Sequence, residues 1–318
     1  MIGINPVTQS ATATSSPRTI ELRDVVRRFG RVEALRGLSF SVAPGRIAGL
    51  IGNNGAGKTT AIHTLLGFIP PHEGSVSILG LDPRRDALTI RGRAGFFPER
   101  DQPYEWMRIR VLFDIGAAAF PDWDKELCAT LTKRFDIDAR RRIKDLSKGM
   151  VAKAKLVFAL SHRPECLLLD EPTSGLDPGS RHDLLTMIRE LTTEQGITTL
   201  FSSHNLDDVQ GIAGDLVIIH EGRTLLSDSM DSIRRELLLV EFKAASLPEL
   251  PSASMTVLRT SNRDGSIFAL IRSQEGHAVD ELAGAWQADQ WTQHPLTLPA
   301  LFLFLTSGWV EMRNHQTP

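Results

Sequence analysis

Cysteine is scarce in this 318-residue chain: only Cys128 and Cys166 occur, and neither has the C-x-x-C or Cys/His spacing of a redox or zinc centre. A disulfide scaffold and structural zinc are thereby excluded, and a reducing compartment, the cytosol, is the expected setting. An excess of one charge is also lacking. With 36 basic against 38 acidic residues the formal net charge is −2, so no global field draws the chain to nucleic acid or an anionic bilayer. Aromatic residues make up 6%, with a single tyrosine, yet 42% hydrophobic and 23% charged residues is globular composition, which excludes collagen and disorder along the whole chain. No basic segment followed by an apolar run opens the sequence, so 1–18, rich in Ser, Thr and Ala, reads as a flexible tail and not a secretory signal. Long hydrophobic runs are missing too. Residues 290–310 carry no Asp, Glu, Lys or Arg, but His294, Pro295 and Pro299 interrupt them, and a buried terminal helix is expected there, not the roughly 20-residue apolar span of a membrane helix.

What the sequence does have is rhythm. From 19 to about 235, short β-branched runs alternate with longer helical patterns, the signature of an α/β domain built from parallel βαβ units. Strands are expected at 19–26, 38–42, 46–51, 74–79, 94–97, 166–169 and 198–201, and helices at 59–66, 110–120, 124–135, 148–161 and 180–195, with Asp124 capping the third of these helices. The stretch from about 100 to 160 reads as a helical subdomain. From Glu236 onward the composition changes to 9 acidic against 5 basic residues and three of the five tryptophans. Strands at 237–242, 255–259 and 267–271 among Pro, Ser and Gly-rich turns then predict a small α+β accessory domain over 236–318.

The string GNNGAGKT at 52–59 matches the G-x-x-x-x-G-K-[ST] phosphate loop, and it follows an apolar strand pattern and precedes a helical one. That context carries the chemistry. Gly52, Gly55 and Gly57 let the backbone of Gly52, Asn53, Asn54, Gly55, Ala56 and Gly57 aim several N–H groups at one phosphate. Lys58 supplies a point charge to the β and γ phosphates, Thr59 offers a hydroxyl to Mg²⁺, and the helix dipole adds about half a positive charge. A second apolar run, 166–169, ends in Asp170 and Glu171. A strand buried on both faces delivers those carboxylates to the sheet edge where ligands bind in parallel α/β folds. Asp170 suits Mg²⁺ held through water, and Glu171 suits the polarisation of an attacking water.

With these residues in place the chain resembles the nucleotide-binding subunits of ABC transporters. Beside the loop ending at Thr60 and the Asp170/Glu171 pair, it has LSKGM at 146–150 in the place of an LSGGQ-like signature, SGLD at 174–177 like the D-loop, and SSH ending in His204 like the switch histidine. The resemblance implies a P-loop ATPase of ABC type over 19–235: a mixed sheet forming the ATP-binding core, an antiparallel β subdomain and a helical subdomain. It implies ATP and Mg²⁺ as cofactors, and a head-to-tail dimer, homodimeric or with a paralogue, in which Ser147, Lys148 and Gly149 of one subunit face the ATP of the other. A helix cap is the competing role for Ser147. Asp177 joins this constellation through the D-loop. Phe29 matches the position that stacks on adenine, although a lone Phe at a strand end also suits a core.

Two departures stand out. Glu99 occupies the place of a usual Gln, with Gln102 three residues later, and Glu99 is favoured as the residue near Mg²⁺ or the water. Lys148 and Met150 replace a Gly and a Gln of the signature, which adds a cation and removes an amide. The resemblance further implies a separate multi-span permease, a peripheral place on the cytoplasmic face of the plasma membrane, and no nucleic-acid partner. FPDWD at 120–124 together with KDLSKGM is similar to exporter-type ATPases often encoded beside GntR-type regulators. In that case the segment 99–110 would receive the permease. The basic residues Arg140, Arg141, Arg142 and Lys144 read as a solvated face, with anionic lipid or a partner's acidic loop as the minority reading. The alternative to transport is a soluble ABC ATPase acting in translation or repair, against which stand a single nucleotide domain and the absence of a heptad pattern.

Overall fold

The computed structural model describes residues 19–100, 103–244, 247, 250–251, 255–263, 265–273, 282, 284–285 and 290–307. The tail expected at 1–18 and Gln102 lie outside them. In chain order the elements are β1 (Ile20–Phe29), β2 (Val32–Val42), β3 (Ile47–Ile51), α1 (Lys58–Leu65), β4 (Glu73–Ile78), α2 (Pro83–Arg93), β5 (Ala94–Phe97), α3 (Ile109–Ala119), α4 (Lys125–Arg134) and a 3-10 turn at Ile143–Asp145. There follow α5 (Lys148–Leu160), β6 (Cys166–Asp170), α6 (Pro178–Gln195), β7 (Thr198–Ser203), α7 (Leu206–Ile212), β8 (Asp215–His220) and β9 (Arg223–Ser229). The chain closes with α8 (Met230–Glu236), β10 (Leu237–Phe242), β11 (Met255–Arg263), β12 (Ser266–Ser273), β13 (Trp291–His294) and α9 (Leu298–Ser307). Two compact units meet in the chain at Thr224/Leu225, ahead of the composition change at Glu236.

In the larger unit, strands β5, β6, β7, β3 and β8 lie in that order and pair in parallel throughout. The three inner strands are short and, apart from Ile47, buried along their whole length, as strands covered on both faces must be, although β7 carries four hydroxyl residues, Thr198, Thr199, Ser202 and Ser203. Leu50, Leu168, Leu200 and Val217 from this sheet share one core with Ile62 and Leu65 of α1 and with Ile20, Leu38 and Val76 of a second sheet. That second sheet is antiparallel, in the order β2, β1, β4. The helices α3, α4 and α5 form the expected helical subdomain, and Asp124 caps α4 by accepting a hydrogen bond from the Leu127 N–H at 2.8 Å. The ATPase architecture read from the sequence is thus present. Both cysteines are buried free thiols, and burial pushes each thiol pKa up, so neither is a ready nucleophile.

The smaller unit holds an antiparallel sheet in the order β11, β12, β10, β13, with Val240, Phe242, Ile267, Ala269 and Ile271 at its core. The terminal helix begins only at Leu298, because the first part of the uncharged stretch forms β13, and α9 buries Leu298, Leu301, Phe304 and Leu305. No helix among the described residues is long and apolar enough to cross a membrane.

Candidate nucleotide site

The register of the parallel sheet decides what meets at its carboxyl edge. Ile51 of β3 lies opposite Ser203 of β7, and Asp170 of β6 lies opposite Ser202, so the residues just beyond these strands, Gly52, Glu171 and His204, emerge side by side. Between Gly52 and α1 the backbone is drawn tight. A Cβ on Gly52 would stand 2.6 Å from the Ile219 carbonyl oxygen, and one on Gly57, whose φ is +107°, would stand 2.8 Å from that of Ala34. On the other side of the loop a Cβ on Gly55 would meet nothing within 4 Å, so the cradle is open where a ligand must enter. Gly57 caps α1 without a side-chain hydrogen bond, which leaves the first N–H groups of the helix available to an anion.

Lys58 is 5% exposed, and its Nζ donates to the Gly52 carbonyl at 2.7 Å while standing 3.1 Å from Glu171 Oε1. Asn53, Asn54, Gly55 and Thr59 are exposed, Ala56 is buried, and the half-buried Thr60 gives its carbonyl to the Thr64 hydroxyl. Across from Lys58, Asp170 is buried and accepts the Ser202 hydroxyl at 2.7 Å, while the same Ser202 oxygen accepts the Glu171 N–H at 3.0 Å. Glu171 takes a left-handed backbone, φ +46°, a conformation that costs a non-glycine residue about 1–3 kcal/mol and recurs at functional sites. The turn holds its carboxylate between two partners. Oε1 faces Lys58 as an ion pair without hydrogen-bond geometry, and Oε2 lies 2.8 Å from His204 Nδ1, whose ring is 53% exposed.

Loop, carboxylates and imidazole therefore form one continuous polar face. The family model described as ABC transporter matches residues 35–174. Over 213 residues the chain is 35% identical to the Nod factor export ATP-binding protein I of Paraburkholderia xenovorans (strain LB400), covering 65% of this chain and 69% of that one. This chain belongs to the ATP-binding proteins of ABC transporters. It is also 26% identical over 289 residues to the ABC transporter ATP-binding protein YtrB of Bacillus subtilis (strain 168), a match that covers 91% of this chain and 98% of the relative. A solved structure described as the ATP binding subunit of an ABC transporter superposes with TM-score 0.62 at 29% identity, over 68% of this chain and 92% of that one. ATP is the substrate of this ABC ATPase and its hydrolysis the activity.

The remaining residues expected at the ATPase site are placed as follows. Asp177 caps α6, and the Ser180 backbone N–H, donating at 3.0 Å, holds the Asp177 carboxyl below its usual range. Ser147 caps α5, accepting the Met150 N–H at 3.2 Å. Gly149 is where α5 meets α6: a Cβ there would stand 2.6 Å from Ser180 Oγ. Among the described residues no hydrogen bond or ion pair joins Ser147, Lys148 or Gly149 to the loop 52–60. Lys148 does share a cavity of about 390 Å³ with Glu99, Glu171 and Ser174. Phe29 ends β1 with its ring 44% exposed and the Arg27 guanidinium 4.8 Å above it. For Mg²⁺ the donors fit: an exposed hydroxyl on Thr59 and a carboxylate on Asp170 are hard oxygens. Among the described residues no three His, Cys, Asp or Glu are grouped so as to hold a metal by themselves.

Sequence reasoning missed two residues here. Ser202 ties Asp170 to Glu171, as above. Asp208 is 1% exposed and accepts from Thr173 Oγ1 at 2.6 Å and Ser203 Oγ at 3.3 Å while pairing with Arg181 Nε. It thereby fastens together the turn after Glu171, the residue before His204 and the start of α6. In the sequence it stands as the second acid of a helical first turn, where acids are ordinary, so only its partners reveal it.

Proposed function

We propose that two ATPase units, from two copies or from one copy and a paralogue, close on ATP and drive a separate membrane permease, in the direction of export. The observation that carries the catalytic part is Glu171 held between Lys58 and His204. Lys58 is satisfied by the Gly52 carbonyl and Glu171. When ATP enters, the phosphate oxygens take over Lys58, and Glu171 is left with His204 and free to accept a proton from the attacking water. His204, already exposed on one side, can then turn a ring nitrogen to the γ-phosphate. Mg²⁺ bound with the nucleotide supplies neutralisation of the phosphates, with Thr59 and, through water, Asp170 as its protein donors and Glu99 beside them. Ser147, Lys148 and Gly149 serve the ATP of the opposite subunit, and Phe29 stacks on adenine once Arg27 swings aside.

A permease needs a place to bind, and the cleft where α3 and α5 face α1 and β5 offers one. A cavity of about 650 Å³ is walled by Phe68, Phe96, Phe120 and Phe158, and its ionisable lining among the described residues is His63, Arg91, Lys155 and His162. The complement is an amphipathic helix that inserts apolar residues and one acidic side chain. Export is supported by the name of the Nod factor relative and by nothing in this chain's own site. The test is Glu171→Gln. That variant is expected to accumulate as an ATP-bound dimer in size-exclusion chromatography with turnover reduced at least about a hundredfold. A monomer with normal turnover would overturn the role given to Glu171. Purification of the chain from detergent-solubilised membranes is expected to bring a multi-span protein with it, and recovery with ribosomes or DNA would overturn the transport reading.

A further inference from the structure

Two segments that lie apart in the chain are laced into one surface patch that the ATPase scheme does not use. Residues 104–110, leading into α3, share backbone hydrogen bonds with 139–144, which precede the signature. The Lys144 N–H donates to the Glu105 carbonyl at 3.1 Å, that of Ile143 to Met107 at 2.9 Å and that of Ile109 to Arg141 at 3.1 Å. Met107, Ile109 and Ile143 are buried along this seam. Tyr104 and Trp106 are not: they are 68% and 65% exposed, with their rings stacked 5.7 Å apart at 15°. They are the most exposed aromatic residues among those described, and they line neither of the cavities above. In 104–110 and 138–145, six basic residues, Arg108, Arg110, Arg140, Arg141, Arg142 and Lys144, stand against three acidic ones, Glu105, Asp138 and Asp145. All six are exposed, and among the described residues only Arg140 has an ion pair, with Asp138 at 3.0 Å.

Local folding accounts for neither feature. A single apolar residue on a surface is ordinary, but two large rings stacked in water forgo burial together. Arg108 and Arg142 are antiparallel bridge partners, directly opposite each other, where like charges repel. In a chain of net charge −2, cations gathered at that cost call for an anion from outside. Tyr and Trp beside Arg and Lys is the chemistry of a membrane–water interface. The amphipathic rings settle at the level of the headgroups, and the basic side chains reach the phosphates. Because the two rings line neither cavity, they offer an inserted helix no slot, which favours a lipid surface as the partner. We infer that this patch lies against the bilayer and binds the headgroups of anionic phospholipids, with Tyr104 and Trp106 in the interface and Arg108, Arg142 and their basic neighbours on the phosphates. It is a contact separate from the cavity proposed for the permease.

The experiment is co-sedimentation of the full chain with vesicles of phosphatidylcholine alone or of phosphatidylcholine and phosphatidylglycerol in equal parts, at about 0.1 M salt. The vesicles hold no protein, so the result is independent of the permease reading. Partitioning onto the anionic vesicles is expected to exceed that onto phosphatidylcholine at least about tenfold and to fall steeply at about 0.5 M salt. Arg142→Gln should weaken it about fivefold and Trp106→Ser at least about threefold, while Arg189→Gln, the same charge change at an exposed site on α6, should leave it within about twofold. Weakening by Arg189→Gln equal to that by Arg142→Gln, or binding indifferent to Trp106→Ser, would mean attraction by net charge alone and overturn the inference. Absence of binding to either vesicle would also overturn it and leave the patch to a protein partner. Should Trp106→Ser fail to fold, brominated phosphatidylglycerol decides the same point: quenching of the tryptophan fluorescence that is reduced in Trp106→Phe supports the contact, and equal quenching in both chains refutes it.

Discussion

Asp208 is the buried group whose loss should reach farthest. Replacing it by alanine removes the acceptor of the Thr173 hydroxyl, which has almost no solvent access, and the counter-charge of Arg181, whose side chain is 29% exposed. A buried hydroxyl left without a partner costs about 1–3 kcal/mol, and opening a buried ion pair costs about 3–5 kcal/mol. Arg181 can turn toward water, so the second figure must be discounted for solvent screening. A total near ~3 kcal/mol follows for Asp208→Ala, and for a unit of this size that lowers the midpoint of thermal unfolding by about 6–12 °C. Asp208→Asn keeps one oxygen for Thr173 and should lose about half as much. Calorimetry of the wild type and both variants checks the order, and a double-mutant cycle with Thr173→Val should return a coupling of about 1 kcal/mol. Turnover should fall in parallel, because Ser203 and Thr173 are the anchors of the segments carrying His204 and Glu171. A thermal midpoint within about 2 °C of wild type for Asp208→Ala would refute the reasoning: the three donors would then have other acceptors, and the network would carry neither stability nor register.

Gly52→Ala forces a Cβ to within 2.6 Å of the Ile219 backbone and 2.8 Å of the Ala56 Cβ, so the loop must move. Equilibrium binding of a fluorescent ATP analogue should weaken at least about tenfold, with a stability loss of about 1–3 kcal/mol. His162 is buried against Phe120, with ring centroids 4.3 Å apart, and burial pushes its imidazole below the usual range. Below pH about 6.5 the unfolded chain therefore binds a proton that the native one excludes, so stability is full at neutral pH and declines on acidification by up to about 1.4 kcal/mol per pH unit. Urea unfolding of wild type and His162→Phe at pH 5 and pH 7.5 should show a smaller pH dependence in the variant, and equal dependence would acquit His162.

How much of this was written in the sequence follows from the range of the interactions involved. Strand–turn–helix order, the caps at Asp124 and Ser147, and β10 at Leu237–Phe242 were legible because each is decided by neighbours a few residues apart. The helices α7 and α8 were not, for a seven-residue helix is too short to stand on its own propensity and forms on what it packs against. The glycine loop and the Asp170/Glu171 pair were likewise foreseeable as separate pieces, since their residue types alone state what chemistry they can do. Their meeting was decided elsewhere. Lys58, Glu171 and His204 stand far apart in the chain and become partners through the pairing of Ile51 with Ser203 and Asp170 with Ser202, a register fixed by burying both faces of the sheet. Asp208 carried no mark in the sequence, because an acid near a helix start is commonplace until burial removes the water that would otherwise serve it.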